Sequence, residues 1–111
     1  MIELLIQNYL RDKGIDAHLE IPKNIPAFPF VVIEKTGSTC SNTITTSTIA
    51  IQSYAGSMYE TIVTNEAVKE CMKEAIELSE ITKVELNGDY NFTDTDTKRY
   101  RYQAVFDITH Y

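Results

Sequence analysis

Ile2, Leu5, Ile6, Tyr9 and Leu10 recur at helical spacing through residues 2–13, and Gly14 stands where a left-handed C-terminal cap would fall. The spacing predicts an amphipathic first helix. Ala17, Leu19 and Ile21 then alternate with Asp16, His18 and Glu20, the period of a half-buried strand. Pro22, Pro26 and Pro29 predict an irregular crossing, since each lacks a backbone donor for a sheet ladder and restrains the residue before it. The run Phe30-Val31-Val32-Ile33-Glu34-Lys35 is short, apolar and β-branched and ends at Thr36-Gly37. A buried strand in the middle of a sheet is expected there.

From Gly37 to Thr48 the chain is Ser, Thr, Asn and Gly with Ile44 as its main apolar residue, a composition too polar for a core. We read this tract as a long polar hairpin arm that returns to the sheet through Ile49 and Ile51. Ser57-Met58-Tyr59-Glu60 has the form of a capping box and predicts a long helix starting there and ending near Ser79. Met58, Ile62, Val63, Ala67, Cys71, Met72, Ala75 and Leu78 form its expected buried face, with Glu66, Lys69, Glu70, Lys73, Glu74 and Glu77 wet. Lys83-Val84-Glu85-Leu86 reads as a strand, and Asn87-Gly88-Asp89 carries the strongest short turn signal in the chain. In the last strand Tyr100, Tyr102, Ala104, Phe106 and Ile108 should face one way, and Arg99, Arg101, Gln103, Val105 and Asp107 the other. The order implies an α+β fold over residues 1–111: a mainly antiparallel sheet with two helices packed on one face and a long polar hairpin arm.

The length of 111 residues suits one domain, and a chain of this size buries roughly 65% of its unfolded surface without metal or disulfide staples. No stretch reaches the ~20 apolar residues of a membrane span. The segment Met1-Ile2-Glu3-Leu4-Leu5-Ile6 lacks the pattern of a secretory signal, so the expectation is no export and no membrane partner. Cys40 and Cys71 are then expected as unlinked thiols in a reducing compartment. The net charge of −6 argues against wrapping a nucleic-acid backbone, whose binding depends on clustered Lys and Arg. Lys98, Arg99 and Arg101 form the only basic cluster, directly after an acidic run, and read as a solvent-facing strand.

Catalysis needs a nucleophile, a base and a group to orient the base. The histidines are His18 and His110, neither in a recognisable site pattern; no serine stands in a nucleophile elbow and no glycine-rich phosphate loop precedes a helix. Cys71 lies in the expected core stripe and reads as a small core residue. The stretch Asp89 to Asp96 fails as a calcium loop, because Asp94 would hold the glycine position and Tyr100 the closing glutamate. Asn91-Phe92-Thr93 matches a glycosylation sequon that, without export, has no expected use. The sequence therefore assigns no catalytic, cofactor-binding or metal residue. A polar arm and a tyrosine-rich last strand at Tyr100 and Tyr102 suggest an interaction module.

Phe30-Val31-Val32-Ile33-Glu34-Lys35-Thr36-Gly37, Ala50-Ile51-Gln52-Ser53-Tyr54-Ala55, Asp89-Tyr90-Asn91-Phe92-Thr93-Asp94-Thr95 and Tyr100-Arg101-Tyr102-Gln103-Ala104-Val105-Phe106-Asp107-Ile108-Thr109 resemble, in this order and spacing, small tail-completion (tail terminator) proteins of long-tailed, siphovirus-type bacteriophages and prophages. The resemblance rests on the collinearity of four segments. It implies a structural, non-enzymatic protein of the virion, found at the tail–head junction and assembled in the bacterial cytoplasm. It also implies a homo-oligomeric ring, a hexamer in many members, that caps the tail tube, ends addition of tube protein and meets the head connector. No cofactor follows from it, and no interface residue carries over. Another head–tail connector component is the alternative, and a small-ligand-binding or enzymatic domain the alternative from a different class.

Overall fold

The computed structural model describes residues 2–24, 28–41, 43–93 and 99–111. In them, helix α1 (Ile2–Asp12) leads to strand β1 (Ala17–His18), then β2 (Phe30–Ser41), β3 (Ile44–Tyr54), helix α2 (Met58–Lys73), a 3-10 turn (Glu74–Glu77), β4 (Ile81–Asn91) and β5 (Arg101–His110). The strands form one five-stranded sheet in the order β1-β2-β3-β5-β4, antiparallel throughout except for the parallel β1–β2 pair. The fold is α+β, as its alternating periods predict.

Helix α1 ends where its glycine says it should. Gly14 has φ of 89°, the N–H of Ile15 donates to the Leu10 carbonyl at 2.9 Å, and that of Gly14 to Arg11 at 3.0 Å. These bonds satisfy carbonyls that a helix end leaves bare. Ser57 caps α2 as expected, its hydroxyl accepting from the Glu60 N–H at 3.2 Å.

Ile2, Ile6, Tyr9 and Leu10 of α1 and Val68 and Met72 of α2 share one core with Val31 and Ile33 of β2, Ile49 and Ile51 of β3, and Ala104, Phe106 and Ile108 of β5. Strand register puts those sheet residues on one face, so both helices cover the same side. Each large apolar side chain buried there contributes about 1.5–3 kcal/mol. The Tyr9 hydroxyl donates to the Cys71 carbonyl at 2.7 Å and links the helices, while Gln7 Nε2 and Arg11 Nε donate to the Ala17 carbonyl at 3.1 and 3.0 Å and tie α1 to β1.

Several expectations are corrected. The first strand holds only Ala17 and His18; Leu19 and Ile21 are exposed, because beyond His18 no ladder continues to give them an inner face. The central strand is β3, and β2 has only the two residues of β1 outside it. Asn87-Gly88-Asp89 is no turn: it lies inside β4, where the register with β5 shifts between Leu86 and Gly88. An extra residue in one strand relieves the local conformational demand without reversing the chain.

The buried side of α2 is also rotated from the expected stripe. Thr61, Asn65, Val68 and Met72 are buried, whereas Ile62, Val63 and Ala67 are exposed. Apolar residues occupy both sides of this helix, so periodicity alone could not decide which side met the sheet.

Candidate interaction surfaces

The sheet face away from the helices carries a polar row, with Gln52, Gln103 and Tyr90 in register on β3, β5 and β4 and Glu34 of β2 reaching it diagonally. Gln52 Nε2 donates to Gln103 Oε1 at 3.1 Å and to Glu34 Oε2 at 3.3 Å; Tyr54 OH donates to Gln52 Oε1 at 3.3 Å; and Gln103 Nε2 donates to the Tyr90 hydroxyl. Gln52 and Gln103 are each only 8% exposed. One row further on, Phe28 stacks on Phe30 and Phe30 on Tyr54, with ring centroids 5.8 and 5.0 Å apart. The Arg101 guanidinium lies 4.3 Å from the Phe92 ring centre and 6.0 Å from that of Tyr54. It also donates to the Tyr54 hydroxyl at 3.3 Å and the Phe92 carbonyl at 2.9 Å. The polar atoms of this face are largely engaged with one another, which rigidifies it; Tyr90 and Phe92 remain partly open at its margin.

On the other side, Tyr59, Ile62 and Val63 lie on the outer surface of α2 and are 77%, 40% and 49% exposed. They stand opposite the polar pair Thr61 and Asn65, which the helix buries. Beside α2 runs a groove of about 210 Å³ with a floor of Val84, Leu86 and Phe106 and a rim of Glu66, Lys69, Glu70 and Lys73. Helix α2 packs over β3 and β5, α1 over β1 and β2, and the 3-10 turn against β4, whose Ile81 is buried in the core while Leu86, further along, is half exposed. At the groove's upper end Asp89 receives the Asn65 amide at 2.8 Å and the Lys69 ammonium. The hydrogen bond to Asp89, then that to Glu66, pushes the Lys69 pKa above its ordinary value.

The polar tract of residues 37–48 is built into the sheet. Gly37 pairs with Thr48 and Ser41 with Ile44, while Thr45 to Thr48 pair on their other side with His110 to Asp107. Its β3 half is therefore an interior strand, and only its β2 half, Gly37–Ser41, lies at an edge.

The other sequence candidates scatter. His18 Nε2 lies 3.0 Å from Asp16 Oδ1, with the ring edge-on to Phe30. His110 Nε2 is 2.9 Å from Ser47 Oγ, a spacing that would suit a base and nucleophile. Ser47, however, is 1% exposed and does not line the groove beside α2, so the pair is a tie between neighbouring strands. Cys71 is half-buried beneath Tyr9, and burial pushes its thiol pKa up, away from a reactive thiolate; Cys40 is exposed on β2 and not joined to it. Within the acidic stretch, Asp94 and Asp96 lie outside the described residues, as does Lys98 of the basic cluster. Asn91 Oδ1 accepts from the Thr93 N–H at 3.0 Å, a local turn contact. Among the described residues no group of three or more His, Cys, Asp or Glu could hold a metal ion, and no helix is long and apolar enough to cross a membrane.

The sequence missed Gln52, Gln103 and Asn65. The two glutamines sit at matching positions of apolar strands, a signal visible only once β3 and β5 are known to be neighbours. Asn65 falls at helical spacing with Val68 and Met72 and could have been placed inward on that basis. No protein-family model matches the chain, and no curated protein matches it.

Proposed function

We propose that this protein is a virion-assembly component of the tail-terminator kind, which caps the phage tail tube, ends its polymerisation and offers a surface to the head connector. The collinear resemblance supplies the class. The observation that carries the assembly reading is the inverted outer face of α2: Tyr59, Ile62 and Val63 face water while Thr61 and Asn65 are buried. Apolar side chains clustered on a helix surface beside an apolar-floored groove are the composition of a contact surface. In the proposed ring each subunit uses two different patches, as any head-to-tail contact that closes must. One involves the α2 side; the other involves the polar arm of residues 37–48, which reaches its neighbour or the tube through the β2 edge. The net charge of −6 would keep a lumen from holding passing DNA.

Deleting the gene from its phage or prophage and viewing the particles by negative-stain electron microscopy tests the reading. Tails of uncontrolled length beside filled, unattached heads are expected. Tails of normal length beside unattached heads would move the protein to the connector side of the joint, and normal virions would refute the assembly role.

A further inference from the structure

Among the described residues β4 pairs on one side only, inward to β5. Which of its backbone groups turn outward follows from β5. The Arg101 carbonyl accepts from the Phe92 N–H at 2.9 Å and the Thr109 carbonyl from the Thr82 hydroxyl at 3.2 Å, so odd-numbered β5 residues turn their backbone toward β4. Lys83 and Glu85 stand in register with Thr109 and Asp107 and therefore bond inward. Their neighbours turn the other way, so Val84 presents both its N–H and its carbonyl outward, and Leu86 its N–H. The Thr82 carbonyl also points out, because a trans peptide sets it opposite the inward Lys83 N–H.

The side chains of this stretch single out a second copy of the chain as the occupant. An edge lysine ordinarily repels an added strand, but the Lys83 ammonium lies 2.9 Å from the Glu85 carboxylate, so the two charges cancel on this edge. Two copies related by a two-fold axis normal to the sheet meet β4 to β4 in the antiparallel sense, with both helix layers on the same side. The outward groups allow pairings centred on Lys83, Val84 or Glu85. Centring on Lys83 sets two ammoniums face to face, and centring on Glu85 two carboxylates. Centring on Val84 sets Lys83 of each copy opposite Glu85 of the other, and directly opposed charges stabilise an antiparallel pair only when they differ in sign. That register also lets each Val84 N–H donate to the other Val84 carbonyl and each Leu86 N–H to the second copy's Thr82 carbonyl. On the helix side the Val84 side chains meet, so the apolar floor of Val84, Leu86 and Phe106 continues across the axis. Helix α2, packed over β3 and β5, stands back from it.

We propose that two copies of this chain pair β4 to β4 about a two-fold axis at Val84, forming a dimer with reciprocal Lys83–Glu85 contacts. Such a contact uses up the edge and stops at two. The inference is independent of the assembly reading, whose ring patches are the α2 side and the tract of residues 37–48.

The test uses the full chain and two charge reversals at exposed positions, Lys83→Glu and Glu85→Lys. Sedimentation velocity over a concentration series should show the parent passing from monomer to dimer. Each variant alone sets like charges opposite in both symmetric contacts and should associate about tenfold more weakly. A one-to-one mixture should regain the parent's affinity, because one copy then carries carboxylates at both positions and the other ammoniums. Hydrogen exchange of the Val84 and Leu86 amides in the parent should slow as the dimer forms. A parent monomeric up to its solubility limit, variants that associate as well as the parent, or a mixture no stronger than its components would each overturn the proposal. Should a variant fail to fold, as read by circular dichroism, hydrogen exchange on the parent decides, and a dimer that leaves both amides unprotected would again overturn it.

Discussion

Asn65 on α2 donates its side-chain amide to Asp89 on β4 at 2.8 Å, and Lys69, one helical turn along, holds the other oxygen of the same carboxylate. The register shift between Leu86 and Gly88 permits this contact, because it re-aims β4 so that Asp89 falls on the helix side of the sheet. Asp89→Ala should leave the Asn65 amide buried without its acceptor and cost about 1–3 kcal/mol. Chemical denaturation of parent and variant measures the difference, and a change near zero would show that the contact does not constrain the fold.

Stability should fall at alkaline pH. Lys69 is raised by its bonds to Asp89 and Glu66, and Tyr9 is raised by burial. For each, the folded state holds its proton more tightly than the unfolded chain. The contribution is thus complete below the unfolded pKa values, near 10 for both groups, and is lost as pH climbs through the higher folded ones. Thermal melts between neutral pH and pH about 11 should show this decline, and Lys69→Met together with Tyr9→Phe should make it shallower, the raised Cys71 thiol and Lys13 ammonium supplying the remainder.

The rotated face of α2 sets two substitutions in opposition. Met72→Ala should cost about 2–5 kcal/mol, since Met72 is fully buried. Val63→Lys should change the stability of the isolated subunit by no more than about 0.5 kcal/mol, as surface substitutions do. A large loss from Val63→Lys in a subunit shown to be monomeric would contradict the observed helix rotation.

Gln52 and Gln103 should be energetically coupled. Truncating Gln52 takes from the buried Gln103 Oε1 its donor, truncating Gln103 takes from Gln52 Nε2 one of its two acceptors, and a double-mutant cycle should return an interaction of about 0.5–3 kcal/mol. Additive effects would mean that the row is held by its strands alone.

Gly14→Ala should destabilise the chain by about 1–2 kcal/mol, because φ of 89° is strained for any residue with a Cβ, even though no neighbouring atom crowds the position. Equilibrium unfolding would show this as a shift in midpoint without a change in slope.

What the sequence determined by itself was local and periodic. The first helix and its glycine stop, the Ser57 cap, the buried run from Phe30 and the alternation from Ala104 to Ile108 follow from steric preference and side-chain period, which act over a few residues. The tertiary structure decided whatever depended on neighbours remote in the chain. Asn87-Gly88-Asp89 has turn chemistry, but pairing with β5 on one side and the hold of Asn65 and Lys69 on Asp89 keep it in a strand. The polar tract after Gly37 has the composition of a free arm, yet β5 pairs along its returning half. Helix α2 has apolar residues on both sides, and the surface offered by β3 and β5 selected Val68 and Met72 over Ile62 and Val63. Backbone pairing and burial are cooperative gains made across distant segments, and no window of sequence contains both partners.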